Sequence, residues 1–109
     1  MNLVEEYTSI NSDDDVEFRY AYRLIKKDYR GLIAYGIEIE RKDYVGLKNI
    51  NVEREKIEMI SPHRHKVKQL LRKLYNNQVS PFHLVDIIGS YADEYAYEFD
   101  AGIQEQAIN

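Results

Sequence analysis

The chain changes its hydrophobic period once. From Val16 the period is two: Val16, Phe18, Tyr20, Tyr22 and Leu24 fall on one face, and Glu17, Arg19, Ala21 and Arg23 on the other. That is the pattern of a half-buried strand. Residues 26–31 are polar and end in Gly31, which is free to take a positive φ, so they read as a turn. A second alternating run sets Ile33, Tyr35, Ile37 and Ile39 against Ala34, Gly36, Glu38 and Glu40. Two such runs across a short loop predict a hairpin. Gly36, inside the second run, marks a bulge or the close approach of another element. After a turn at 43–46, a less regular third run occupies 47–60, with residues 53–56 solvated.

Ser61-Pro62 switches the period to that of a helix, with Ser as cap and Pro in the first turn. Val67, Leu70, Leu71, Leu74 and Tyr75 form its apolar stripe, and Asn76-Asn77 ends it. Ser80-Pro81 repeats the start signal. The stripe that follows, Leu84, Val85, Ile87, Ile88 and Tyr91, is more apolar, which predicts the more buried helix. It continues at the same spacing through Tyr95 and Phe99 to a stop at Gly102. The expected fold class is α+β: a three-stranded antiparallel β-meander followed by two α-helices packed on one sheet face. Residues 16–101 form a single domain in this reading. Residues 1–15 are a flexible acidic arm, ordered at most briefly around 3–10, and 102–109 a frayed tail.

Composition narrows the function classes. The 109 residues suit one domain. With no Cys there is no thiolate nucleophile and no zinc-thiolate site. No apolar run is long enough to cross a bilayer, and the first residues lack the basic and apolar regions of a signal peptide, so a cytoplasmic protein is expected. The formal charge of −4 hides a division. Residues 1–17 carry six acids and no base, 18–81 carry all 15 bases and seven acids, and 82–109 carry six acids and no base.

The basic block contains the first candidate site, an anion-binding surface of His63, Arg64, His65, Lys66, Lys68, Arg72 and Lys73 on the 62–76 helix. A helix N-terminus has free N–H groups and favours acids, and here the first turn is basic, which suits a phosphate or carboxylate. The alternative is a solvated face paired with acids from elsewhere in the chain. Long-range attraction between the charge blocks favours that shielding. Metal binding by His63, His65 and His83 is not expected. Residues two apart on a helix point about 200° apart, and His83 beside an apolar stripe reads as partly buried. Residues 11–15 lack the Gly and Glu of a calcium loop. No metal and no cofactor is predicted.

Nucleic acid is a possible partner through the basic helix but is not the favoured one. Tyr20, Tyr22 and Tyr35 lie in apolar stripes and read as core, and the helix that would enter a groove is the apolar one. The last candidate is an acidic-aromatic stripe, Tyr91, Tyr95 and Phe99, which would bind a protein partner or fold back on its own domain. No motif pairs a nucleophile with a base, so no catalytic residue is assigned.

Residues 21–25 (Ala-Tyr-Arg-Leu-Ile), 35–40 (Tyr-Gly-Ile-Glu-Ile-Glu) and 79–88 (Val-Ser-Pro-Phe-His-Leu-Val-Asp-Ile-Ile) resemble a family of small uncharacterised proteins of clostridia and related spore-forming bacteria, catalogued only as a domain of unknown function. The resemblance covers roughly residues 20–91 and leaves both acidic ends outside. It implies a bacterial cytoplasmic α+β protein, with a mobile-element origin open, and brings no activity to transfer. The expected function is a non-enzymatic protein-interaction or regulatory module, docking an unidentified protein partner through the acidic-aromatic stripe or the exposed sheet face, with no membrane contact. The alternative is anion or nucleic-acid binding through the helix 62–76. Oligomeric state is open.

Overall fold

The computed structural model describes residues 2–108, and their side chains as far as residue 99. Four strands, β1 (Asn2–Asp13), β2 (Val16–Tyr29), β3 (Leu32–Val45) and β4 (Lys48–Ser61), form one antiparallel sheet in sequence order. Two helices follow, α1 (Arg64–Asn76) and α2 (Leu84–Ile108), with a 3-10 turn at Pro81–His83 between them. The class is α+β with an antiparallel sheet and two helices, but the meander has four strands rather than three.

The added strand is β1, the segment read from sequence as a flexible arm. Its ladder to β2 runs from Asn2↔Lys26 to Asp13↔Val16 and slips between Leu3 and Glu5. Beyond that bulge the ladder is regular, but the positions facing the helices are Glu5, Tyr7, Ser9 and Asn11, so no apolar alternation marks the strand in the sequence. Val4 and Tyr7 pack against the core, Tyr7 edge-on to Tyr75 at 5.4 Å. The turn between β2 and β3 is tighter than the polar segment suggested, since both Arg30 and Gly31 take positive φ (51° and 85°), as a type I′ hairpin turn requires.

The register Tyr22↔Ile39 and Leu24↔Ile37 aligns the stripes of β2 and β3 under the helices. Tyr22, Leu24, Ile37, Ile39 and Ile60 of the sheet and Val67, Leu70, Leu71 and Leu74 of α1 form the core. Gly36 answers both expectations. The ladder is irregular between Tyr35 and Ile37, and a Cβ at 36 would collide with the backbone carbonyls of Ile57 and Glu58.

The start of α1 differs from the reading. Ser61 belongs to β4, and the helix begins at Arg64 with His63 as an N-cap that makes no side-chain cap bond. Ser61 Oγ instead accepts a hydrogen bond from the His63 N–H at 3.0 Å. At the other end the Gln78 N–H donates to Tyr75 and the Val79 N–H to Leu74, with Gln78 at φ +50°. This is a Schellman closure with Gln where Gly is usual. Tyr22 then donates its hydroxyl to the Val79 carbonyl at 2.9 Å, tying the closed helix end to the sheet.

The second helix is not the more buried one. Of its expected stripe, Leu84 and Ile88 are buried, whereas Val85 (52%) and Ile87 (41%) are exposed. The reason is position: α2 lies along β4, at the edge of the sheet, and only a narrow stripe of it meets the core. Its backbone continues helical past Gly102 to Ile108, where the sequence suggested a stop and a fraying tail. The side chains of that tail lie outside the described residues.

The strands run longer than the helices over them. Strands of 12 to 14 residues span about 40–46 Å, whereas the 13 residues of α1 span about 20 Å. The molecule is accordingly elongated, 59 × 22 × 18 Å.

Candidate functional site

The basic surface of α1 is held from both ends of the chain. Glu5 of β1 accepts hydrogen bonds from Arg64 (3.1 Å) and Lys68 (3.2 Å). Glu98 of α2 accepts one from Lys66 (3.1 Å) and lies 2.7 Å from His63 Nε2. Burial pushes the Glu5 carboxyl up, but Lys68 and Arg64 outweigh it and hold the group below the usual carboxylate range. The bond to Glu98 raises the Lys66 ammonium above its ordinary value. Four of the seven candidate anion-binding residues therefore face an acid. His65 sits 6.2 Å ring to ring from His63, and Arg72 and Lys73 are exposed with no acidic partner among the described residues.

The acidic-aromatic stripe folds back on its own domain. Phe99 is buried and meets Tyr29 edge-on at 5.8 Å. Tyr91 and Tyr95 are partly buried against the core, and Lys66 Nζ lies 4.8 Å from the Tyr95 ring centre. This fixes the α2 segment that delivers Glu98. His83, expected to be partly buried, is exposed and stacks edge-on with the exposed Phe82. Among the described residues, no three His, Cys, Asp or Glu side chains converge as metal ligands would.

The sheet face away from the helices carries a lattice of charges that sequence reading passed over as merely polar. The register sets Glu6, Arg23, Glu38 and Lys56 in one row across all four strands, alternating in sign. Arg23 donates to Glu6 (2.7 Å), Glu38 (2.8 Å) and Glu40 (3.1 Å). Glu40 also accepts from Arg54 and has Lys42 at 3.8 Å. Burial opposes ionisation of Glu40, yet Arg54 and Arg23 hold its carboxyl below the usual range. Beside this lattice a shallow hollow of about 260 Å³ opens over Ala21, between Thr8 and Ile10 on one side and Arg19 and Lys42 on the other. The signal was present in the alternate positions Glu38/Glu40 and Arg23, but only the register puts them in contact.

No curated protein and no solved structure matches the chain. No helix among the described residues is long and apolar enough to cross a membrane. Residues 1–94 match the model of DUF6514, so the match takes in β1 as well as the strands, α1 and the start of α2. The chain belongs to DUF6514, a family of unknown function.

Proposed function

We propose that this chain is a non-enzymatic protein-interaction module of the bacterial cytoplasm, and that it docks its protein partner on the uncovered sheet face. The observation that carries this reading is the cross-strand lattice around Arg23 and Glu40. Charged side chains already held in place lose little freedom when a partner arrives, and their alternating signs select a partner with the complementary arrangement. The stripe Tyr91, Tyr95 and Phe99 is occupied with its own domain, which leaves the sheet face of the two expected docking surfaces. The acids placed on α1 weigh against the alternative, polyanion binding through the basic helix.

The test compares capture of partners from bacterial lysate, identified by cross-linking and mass spectrometry. The samples are the unaltered chain, Arg19→Glu/Lys42→Glu on the open face, and Arg72→Glu on α1. A protein captured by the unaltered chain and by Arg72→Glu, but not by the open-face variant, supports the reading. Capture that ignores the open-face charges, or no captured protein at all, overturns it.

A further inference from the structure

The sheet has two free edges, and they differ in how they are guarded. β4 carries Glu53-Arg54-Glu55-Lys56 across its middle. Antiparallel pairing of this strand with itself about a two-fold axis normal to the sheet, centred anywhere from Asn51 to Lys56, sets like charges opposite one another. Charged edges of this kind resist strand addition. The middle of β1 has no such guard. Residues 7–12 (Tyr-Thr-Ser-Ile-Asn-Ser) carry no charge and no proline, and Ile10 is 62% exposed. Among the described residues no strand lies on the outer side of β1, and none of its backbone groups bonds outside the ladder to β2.

We infer that β1 is a homodimer interface, through which two copies of this chain pair antiparallel about Thr8 into one eight-stranded sheet. Charge picks the register. Centring on Ser9 puts Glu5 opposite Asp13, and centring on Ile10 runs the Asp14-Asp15 turn against Glu6 and Glu5. Centring on Tyr7 leaves only five regular positions before the bulge between Leu3 and Glu5. Centring on Thr8 avoids all three faults. Thr8 meets Thr8, Tyr7 meets Ser9, Glu6 meets Ile10 and Glu5 meets Asn11; Thr–Thr is a favourable cross-strand pair.

The same register carries the acidic 13–15 turn of each copy to the Asn2 end of the other. There the ladder places Lys26 beside Asn2, next to a hollow of about 170 Å³ lined also by Lys27 and Asp28. Acid thus approaches base at both ends of the interface. The open faces of the two sheets join into one surface, and the interface stands independently of what docks there.

The experiment needs only the purified chain. Sedimentation equilibrium of the unaltered protein is expected to give twice 12.9 kDa. Thr8→Lys and Thr8→Asp each set like charges across the axis and are expected to weaken the dimer at least about tenfold, with circular dichroism unchanged. An equimolar mixture of the two restores it, because Lys then faces Asp. The chain has no cysteine, so Thr8→Cys reports alone and is expected to cross-link on mild oxidation. A monomer at every concentration overturns the proposal. So does a dimer indifferent to both charged variants, or one they weaken that the mixture does not restore. Partner capture in the preceding test is read at Arg19 and Lys42 on a lysate, whereas self-association is read at Thr8 on the purified chain alone, so either result can fail without the other.

Discussion

On β2, Tyr22 and Arg23 are neighbours whose side chains stabilise the sheet in opposite ways. Tyr22 points under α1, fully buried, and burial pushes its hydroxyl pKa up while that hydroxyl donates to Val79. Arg23 points to the bare face, where three carboxylates share its guanidinium. The covered face is closed by apolar area, which is non-directional and is not screened by salt as charges are. The bare face is closed by paired charges, whose net worth depends on solvent, pH and partner geometry. One sheet therefore carries an apolar side closed by the helices and a bare side closed by paired charges.

The largest expected effect comes from the covered face. Leu71 is fully buried in the core, and Leu71→Ala is expected to cost about 3 kcal/mol in urea unfolding, little changed by 1 M salt. A strongly salt-dependent loss would break the contrast. On the bare face, Arg23→Ala leaves Glu38 and Glu40 short of a cation. The expected cost is about 2 kcal/mol, below that of a fully buried pair because Arg23 stays partly solvated. Unlike the Leu71 effect, it should shrink with salt, and a cost equal at low and high salt counts against the charge lattice.

The pH dependence sharpens the contrast further. Glu40 and Glu5 both titrate lower in the folded chain than in the unfolded one. Their contribution is fully present above about pH 4.5 and is lost as pH falls through the folded values. Thermal midpoints are expected to fall below that pH, and Glu40→Gln to flatten the fall; an unchanged profile removes Glu40 from the account. The smallest effect on stability belongs to the acids over α1. Glu5→Gln/Glu98→Gln should lower the thermal midpoint only slightly, since the cations facing the two acids stay about a third to a half exposed and an amide oxygen still accepts from them. The same variant is expected to elute from heparin at higher salt than the unaltered chain. Equal elution would mean that the acids do not shield the basic helix.

Local pattern made much of the fold legible. The alternation in β2 and β3, and the Val67–Leu70–Leu71–Leu74 stripe of α1, are each set within a few residues by the period of the backbone. The missing strand, β1, was hidden because its helix-facing positions, Glu5, Tyr7, Ser9 and Asn11, are mostly polar and leave no apolar stripe. The exposure of Val85 and Ile87 was hidden because a stripe says which face is apolar, not how much partner surface lies opposite. The open-face lattice was hidden for a similar reason: Glu40 meets Arg54 and Arg23 through strand register, a long-range property.

By itself the sequence determined the element types of the middle of the chain, the apolar stripes and the three blocks of charge. The charge blocks also pointed to shielding of α1, and the structure places Glu5 and Glu98 against it. Tertiary structure decided that residues 2–13 complete the sheet, that Phe99 closes on Tyr29 instead of a partner, and which acid meets which base. The physical reason is range. Hydrophobic period acts over three or four residues, whereas Glu5 and Lys68 become neighbours only after a sheet and a helix have assembled between them.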